Sequence, residues 1–465
     1  MKHMSDMDTR STLIRGGRVV VDQAVSKQDL LFRGQKIAGA GDLQGEPADE
    51  IIDAEGLLVL PGGVDTHVHF NDVFMGTVSV HDYFTGTRAA AFGGTTSVID
   101  FSNQIPGGSL AKTLEDKKQE AAGKALVDFG VHPVITRPDE ETLSEIESVV
   151  KAGAPTIKCY MTYREDGLLI EDHDLVRIAR RLGAAGGMLM LHAEDNDAIE
   201  ANVPRLVGEG KTTPIFHARS KPPEVETEAI RRIIGMARET RARFFIVHLA
   251  SPGGLDLLTD AMADGVDIRP ETCAHYLVFT DSVLEREDGI KWICSPPLRD
   301  ASAQEALWQG VADGRIRMVT SDDAAYSWEA KLYGKDRFDL CPNGIPGIEP
   351  RFQILFSEGV AKGRISLPRF VEIVASEPAR LFGMAPKKGT LRVGADADVV
   401  LLDPNARWVM GEDTLHMATD WSAYEGIEIT GKIRKVFSRG ELIIDGEECL
   451  GAPGRGEYLH RRLDA

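Results

Sequence analysis

The 465-residue sequence has no stretch of 18 or more apolar residues, so it offers no candidate for a membrane-spanning helix. Its opening "MKHMSDMDTRST" has no apolar core; it reads as a disordered lead-in and not as a secretory signal. Cysteine is scarce: five residues, at 159, 273, 294, 341 and 449, odd in number and never spaced CxxC. That argues against a disulfide framework and fits a reducing cytoplasm. Basic residues are also short, 53 against 72 acidic, for a net charge of -19. A nucleic-acid partner needs a basic surface, so none is expected. No internal repeat or low-complexity tract stands out. No glycine-rich phosphate fingerprint follows the first apolar strand, which disfavours an open doubly wound sheet.

What is present is a regular alternation. The first sixty residues read as short β segments ("TLIRGGRVVV", "DLLFRGQKIAGAGD", "IIDAEGLLVL"), and so does the far end ("GTLRVGADADVVLLDP", "GKIRKVFSRGELIIDG"). Between them, apolar strand-like runs alternate with helical stretches such as "LSEIESVVKAG", "DLVRIARRLGAAGG" and "TEAIRRIIGMARET". The strands fall at 64–70, 95–101, 127–135, 155–161, 188–193, 243–249, 266–276 and 316–322. Eight is the number that a closed (β/α)8 barrel requires. The expected fold is α/β: a barrel over 61–385, a small discontinuous β domain from 1–60 and 386–450, and a tail over 451–465.

Barrel enzymes carry their chemistry at the C-terminal ends of the strands. The first strand, "VDTHVHF", ends on His67 and His69, whose period-two spacing points both rings to one face. A surface strand with a polar face would explain that pair alone. The fourth strand carries Lys158, the fifth closes with His192, the sixth with His248 and the eighth with Asp322. Six such residues from five strands point to a site for two metal ions. Lys158 is the odd member, because an ammonium cannot bind a cation and is costly to bury. Spacing alone leaves two readings, a lysine at the rim or paired with a carboxylate, and a carbamate formed with carbon dioxide that bridges two metals.

Over nearly its full length the chain resembles the D-hydantoinase and dihydropyrimidinase group of the amidohydrolase superfamily. The resemblance rests on "PGGVDTHVHF", "GTVSVHDYFTGTRAAAFGGTTSVIDF", "IKCYMTY", "LHAED", "HARSKPPEVETEAIRRI", "ETCAHYL", "SPPLR", "PNGIPGIEPRFQILFSEGV" and "KKGTLRVGADADVVLLDP". Similar dihydroorotases carry an arginine just beyond the HxH pair, where this chain has Phe70 and Asn71. The group's fold is a barrel with a β-sandwich made from both chain ends. The resemblance implies that His67, His69, carbamylated Lys158 and Asp322 hold one metal and that Lys158, His192 and His248 hold the other. It implies a hydroxide between the metals as nucleophile and Asp322 as proton shuttle. It implies further that Tyr163 hydrogen-bonds the substrate carbonyl, and that backbone groups at Ser295 and Asn343 grip the ring amide. Zinc suits that donor set, and manganese, cobalt or iron could fill it. A homotetramer is implied, with the tail "GEYLHRRLDA" reaching a neighbour.

The expected activity is hydrolytic opening of a 5-substituted hydantoin or a dihydropyrimidine. Allantoin or a cyclic imide is the alternative substrate, and a non-catalytic, dihydropyrimidinase-like scaffold is the remote one. The scaffold reading is countered by ligand-capable residues at all six positions. One departure stands out: "TSDDAAYSW" has Asp323 where such proteins carry histidine after the last metal aspartate. Asp323 either faces the mouth or turns away towards a loop lysine such as Lys331. His275 and His132 read as supporting or packing residues, His81 and His217 as structural, and Cys159 and Cys294 as inert thiols. Phe70, Phe74 and Tyr160 are candidates to line an apolar pocket.

Overall fold

The computed structural model describes residues 10–105 and 107–464. Most of the expected lead-in lies outside the described residues, and Ser11 already begins the first strand. Seven parallel strands pair in chain order: Gly63–Val68, Thr95–Asn103, Asp128–Val134, Thr156–Tyr160, Met188–His192, Arg243–Ile246 and Ile268–Pro270. The eighth, Val319–Thr320, pairs in parallel with Thr272–Cys273. A parallel bridge from Val68 to Asp323 then brings the eighth strand back to the first and closes the ring. The expected (β/α)8 barrel is therefore the observed one. The seventh strand differs from expectation. It breaks at Glu271, and "AHYLV" winds into a helical turn over Ala274–Val278.

Strands covered on both faces read as continuous apolar runs, yet period two still sorts their side chains. Ile157, Cys159, Leu189, Leu191, Phe244 and Ile246 pack outward against the helices. Ile99, Phe101, Tyr160, Met188, Met190, Phe245, Val247 and Met318 fill the interior. Lys158 lies two residues before Tyr160 and in register with Met190, so it points inward with that second set. Two helix caps fix where strands stop. Asp195 caps Asn196–Gly208 three residues after His192, and Ser251 caps Pro252–Ala263 three residues after His248. Each side chain accepts a free amide of the first helical turn, so the chain leaves the strand at a set point.

A second sheet of nine strands draws on both chain ends, joined where Leu58–Pro61 pairs antiparallel with Val399–Leu402. Phe32 and Phe437 sit on strands four places apart, which a flat sheet would separate by about 19 Å. Their ring centroids are 5.4 Å apart, so the sheet folds over itself around a shared apolar filling. The C-terminal segment docks on its own barrel. Phe129 N–H donates to the Glu457 carbonyl at 2.9 Å, and Leu459 N–H donates to the Phe129 carbonyl at 2.7 Å. The described part of the tail, expected to reach a neighbour, lies here on its own chain. Among the described residues no helix is long and apolar enough to cross a membrane.

Candidate metal centre and active site

One pocket at the C-terminal mouth of the barrel is lined by His67, His69, Lys158, His192, His248, Asp322, Tyr163, Ser295 and Asn343. All nine residues singled out from the sequence thus meet, although 276 positions separate the first from the last. The imidazoles cluster, with ring centroids 5.4 Å apart for His67 and His69, 5.4 Å for His67 and His248, and 4.5 Å for His192 and His248. Tyr163, His248 and Asp322 all adopt left-handed backbone, at φ 65°, 40° and 49°. For residues with a Cβ this is a strained choice, held here by the surrounding barrel.

Three of the histidines have one ring nitrogen tied down by a carboxylate. His67 Nδ1 lies 2.5 Å from Glu271, His69 Nδ1 3.0 Å from Asp72, and His192 Nε2 2.7 Å from Glu194. A nitrogen that donates to a carboxylate leaves the other nitrogen of a neutral ring as a bare lone pair. His67 Nε2 is fully buried, makes no hydrogen bond, and sits 2.9 Å from Asp322 Oδ1. His69 Nε2 is 3.5 Å from the same oxygen. Two electron-rich atoms at that separation repel unless positive charge joins them, and His67, His69 and Asp322 converge closely enough to hold one ion. The ionisation behaviour agrees. Against the effect of burial, hydrogen bonds to Asp322 and Asp72 raise His69 to about 9. Burial would raise Asp322, but His67 and His69 hold it well below the usual carboxylate range. Positive charge is favoured between these groups, and a divalent cation is its stronger form. The residues fit a metal.

Lys158 is 1% exposed, and among the described residues its Nζ has no ion-pair partner. Nζ instead lies over the rings of Phe101 and Tyr160, at 4.9 and 4.7 Å. Burial lowers it to about 8, so about a tenth of the amine is neutral at pH 7, far more than for an ordinary lysine. The neighbouring thiols are inert, since burial pushes Cys159 up and Cys294 to about 12. Cys273 and His275 form a second trio with Asp322. Burial raises that thiol well above its ordinary range.

Several assignments change with the geometry. Asp323 turns away from the mouth, and its partner is not Lys331. It accepts from His81 Nδ1 at 2.7 Å and from the Gly347 and Ile348 amides at 2.8 and 3.2 Å. Lys331 donates instead to the carbonyls of Ile293, Pro342 and Gly344. Phe74 and Tyr160 line the pocket. Phe70 does not; it is buried edge-on to Tyr83. His132 is a core residue bonded to Thr156 and the Thr66 carbonyl, and His217 bonds the Cys294 carbonyl. Sequence reasoning missed Asp72, Glu194 and Glu271. Glu194 was within reach, because it follows His192 by two and metal-binding histidines ordinarily carry a carboxylate on the outer nitrogen.

A (β/α)8 barrel whose strand ends carry inward-facing imidazoles, a carboxylate and a buried amine defines a metal-dependent barrel protein. Comparison with known proteins places it more closely. The sequence signature of the Amidohydrolase family matches residues 58–443. A D-phenylhydantoinase of Escherichia coli O1:K1 is 42% identical over 97% of this chain and 98% of that protein. A D-hydantoinase of Geobacillus stearothermophilus is 39% identical over 97% and 96%. The crystal structure of a dihydropyrimidinase from Brevibacillus agri superposes with a TM-score of 0.95 at 38% identity, covering 98% of this chain and 99% of that one. The chain belongs to the amidohydrolase family and, within it, to the hydantoinase and dihydropyrimidinase group.

Proposed function

We propose that this enzyme hydrolyses one C–N bond of a cyclic amide or ureide, a 5-substituted hydantoin or a dihydropyrimidine, at a centre of two divalent cations. The observation that carries the reading is the bare His67 Nε2 facing Asp322 Oδ1 at 2.9 Å inside a pocket that also holds Tyr163. Family membership supports it. His67, His69, Lys158 and Asp322 would hold one ion and Lys158, His192 and His248 the other. The imidazole and carboxylate donors favour zinc, with manganese, cobalt or iron as substitutes. When bound, such a pair supplies Lewis acidity and a lowered water pKa.

Lys158 would take part as a carbamate: the ammonium gives up one proton, and the neutral amine then forms an N–C bond to carbon dioxide and releases a second, so a cation becomes an anion. Its burial without a counter-ion supports that assignment. Asp322 takes the proton from the attacking water and delivers it to the ring nitrogen as the C–N bond breaks. Tyr163 donates to the carbonyl oxygen while that oxygen gains charge. Backbone groups at Ser295 and Asn343 hold the ring amide. The same reading places a catalytic barrel at 61–385 and a discontinuous β domain at 1–60 and 386–450, supported by the shared nine-stranded sheet. It also takes the enzyme as cytoplasmic, in keeping with five cysteines free of disulfides, and, by its resemblance to the group, as a homotetramer.

Elemental analysis and product assays on hydantoin, dihydrouracil, allantoin and a cyclic imide test it. The expected result is two metal equivalents per chain, ring opening of the first or second substrate, and loss of both metal and activity in Lys158→Ala. An active preparation with no metal and an unmodified Lys158 overturns the mechanism.

A further inference from the structure

The mechanism leaves a buried lysine beside the active-site wall unused. Lys221 follows the helix Ile215–Ser220, is 4% exposed, and reaches across to the active-site wall. Its Nζ lies 2.6 Å from Ser295 Oγ, 3.6 Å from Glu194 Oε2 and 5.4 Å from the centroid of the Tyr163 ring. Buried charges persist when they are paired and hydrogen-bonded, and this one has both kinds of partner. Glu194 Oε2 thereby faces both Lys221 and His192.

Proton bookkeeping shows what the ammonium does for the wall. Lysine can only donate, so Ser295 Oγ accepts from it. Asn343 Nδ2 also donates to Ser295 Oγ, at 3.2 Å, and to Tyr163 Oη, at 3.3 Å. A hydroxyl has two acceptor sites, and at Ser295 both are now filled. Asn343 Nδ2 thus gives one hydrogen to Ser295 Oγ and the other to Tyr163 Oη, and Lys221 holds the Ser295 hydroxyl where it receives the first. With Nδ2 held there, Tyr163 Oη is an acceptor on its Asn343 side. Its own hydrogen is then free to point into the pocket, where the proposed oxyanion forms.

We infer that Lys221 is a positioning residue which, through Ser295 Oγ and the Asn343 amide, orients the Tyr163 hydroxyl as a donor towards the substrate carbonyl. It does not line the pocket that holds His67, Lys158 and Asp322. The inference rests on the ring-opening activity proposed above for its kinetic consequence, and on contacts within the chain for its geometry.

The test compares Lys221→Met and Lys221→Arg holoenzymes, each alone and combined with Ser295→Ala. Lys221→Met lowers kcat/KM for hydantoin about 10- to 100-fold, the usual range for losing an orienting partner, while metal content stays at the wild-type value. Lys221→Arg, which keeps charge and donor, recovers most of that loss. In the Ser295→Ala background, where the link is already cut, Lys221→Met costs no more than about threefold. Crystal structures supply a readout independent of turnover: in Lys221→Met the Asn343 amide leaves Tyr163 Oη. Should Lys221→Met fail to fold, Lys221→Gln removes the charge and carries the same comparison. Unchanged kcat/KM, an undiminished loss in Ser295→Ala, a loss matched by falling metal content, or an unmoved Asn343 each overturns the inference. A wild-type enzyme that opens no ring overturns the activity instead, and the position of Asn343 then decides the role of Lys221 alone.

Discussion

The two ends of the barrel bury charge in opposite ways. At the floor, Lys388 is completely enclosed, and its Nζ meets Asp128 at 2.6 Å, Asp398 at 2.8 Å and Asp396 at 2.9 Å. Despite burial, those carboxylates raise its pKa, and the lysine stays charged. Arg351 is likewise enclosed, with Asp65 at 3.2 Å and the carbonyls of Val64 and Val319 at 3.2 and 3.0 Å. At the mouth, Lys158 is as deeply buried, lacks a counter-ion, and is pushed down to about 8. Among the described residues, five of the eight non-glycine residues with left-handed backbone (Asn71, Met75, Tyr163, His248 and Asp322) also gather at that end. The floor spends its charges on stability. The mouth leaves bare lone pairs and strained residues in place, which is where a cation and a substrate have something to stabilise.

If that contrast is real, cutting a floor contact should cost folding and leave the chemistry alone. Lys388→Met removes the cation that all three carboxylates share, although Arg439 still meets Asp128 at 3.0 Å and Lys36 meets Asp396 at 2.7 Å. The expected loss is about 3–5 kcal/mol in urea-denaturation free energy, the range for removing one partner of a buried pair, with metal content and KM unchanged. A variant as stable as wild type would mean that the floor is held by packing alone. At the mouth the effect should reverse. Tyr163→Phe lowers kcat about 10²- to 10³-fold, or about 2.7–4 kcal/mol of transition-state stabilisation. Its unfolding midpoint and metal content stay put. Turnover at the wild-type rate would remove Tyr163 from the reaction.

The sequence made one end of this comparison much easier to see than the other. His67, His192, His248 and Asp322 end apolar runs whose period is readable, so their convergence follows once the runs close into a ring. Lys158 was visible for the same reason, as a charge inside an apolar strand. The floor was not, because Asp128 and Lys388 lie 260 positions apart and neither interrupts a pattern. Asp323 failed for a similar reason. Its partner His81 is 242 positions away, and a nearby lysine is a poor guide to what a buried carboxylate meets. Glu271 shows a third limit. It breaks the seventh strand just where it reaches His67, a bend set by tertiary contacts that no local periodicity announces.

A smaller effect sharpens the comparison at the edge of the mouth. His217 lines a chamber of about 590 Å3 that adjoins the active-site pocket across Tyr163 and Asn343. Its Nε2 is 2.8 Å from the Cys294 carbonyl, and burial lowers its pKa to about 3. The unfolded chain holds this histidine near 6.5, so between the two values the unfolded state binds the extra proton. Stability from this group is therefore complete above about pH 7 and is lost as pH falls through 6.5 towards 3. At pH 5 the loss is about 2 kcal/mol. His217→Gln keeps a donor for the Cys294 carbonyl and does not titrate, so its unfolding free energy should fall less steeply between pH 7 and 5 than that of wild type, by about that amount. Parallel pH profiles for the two proteins would show that His217 reaches water when protonated. The mouth would then tolerate added protons as well as added cations.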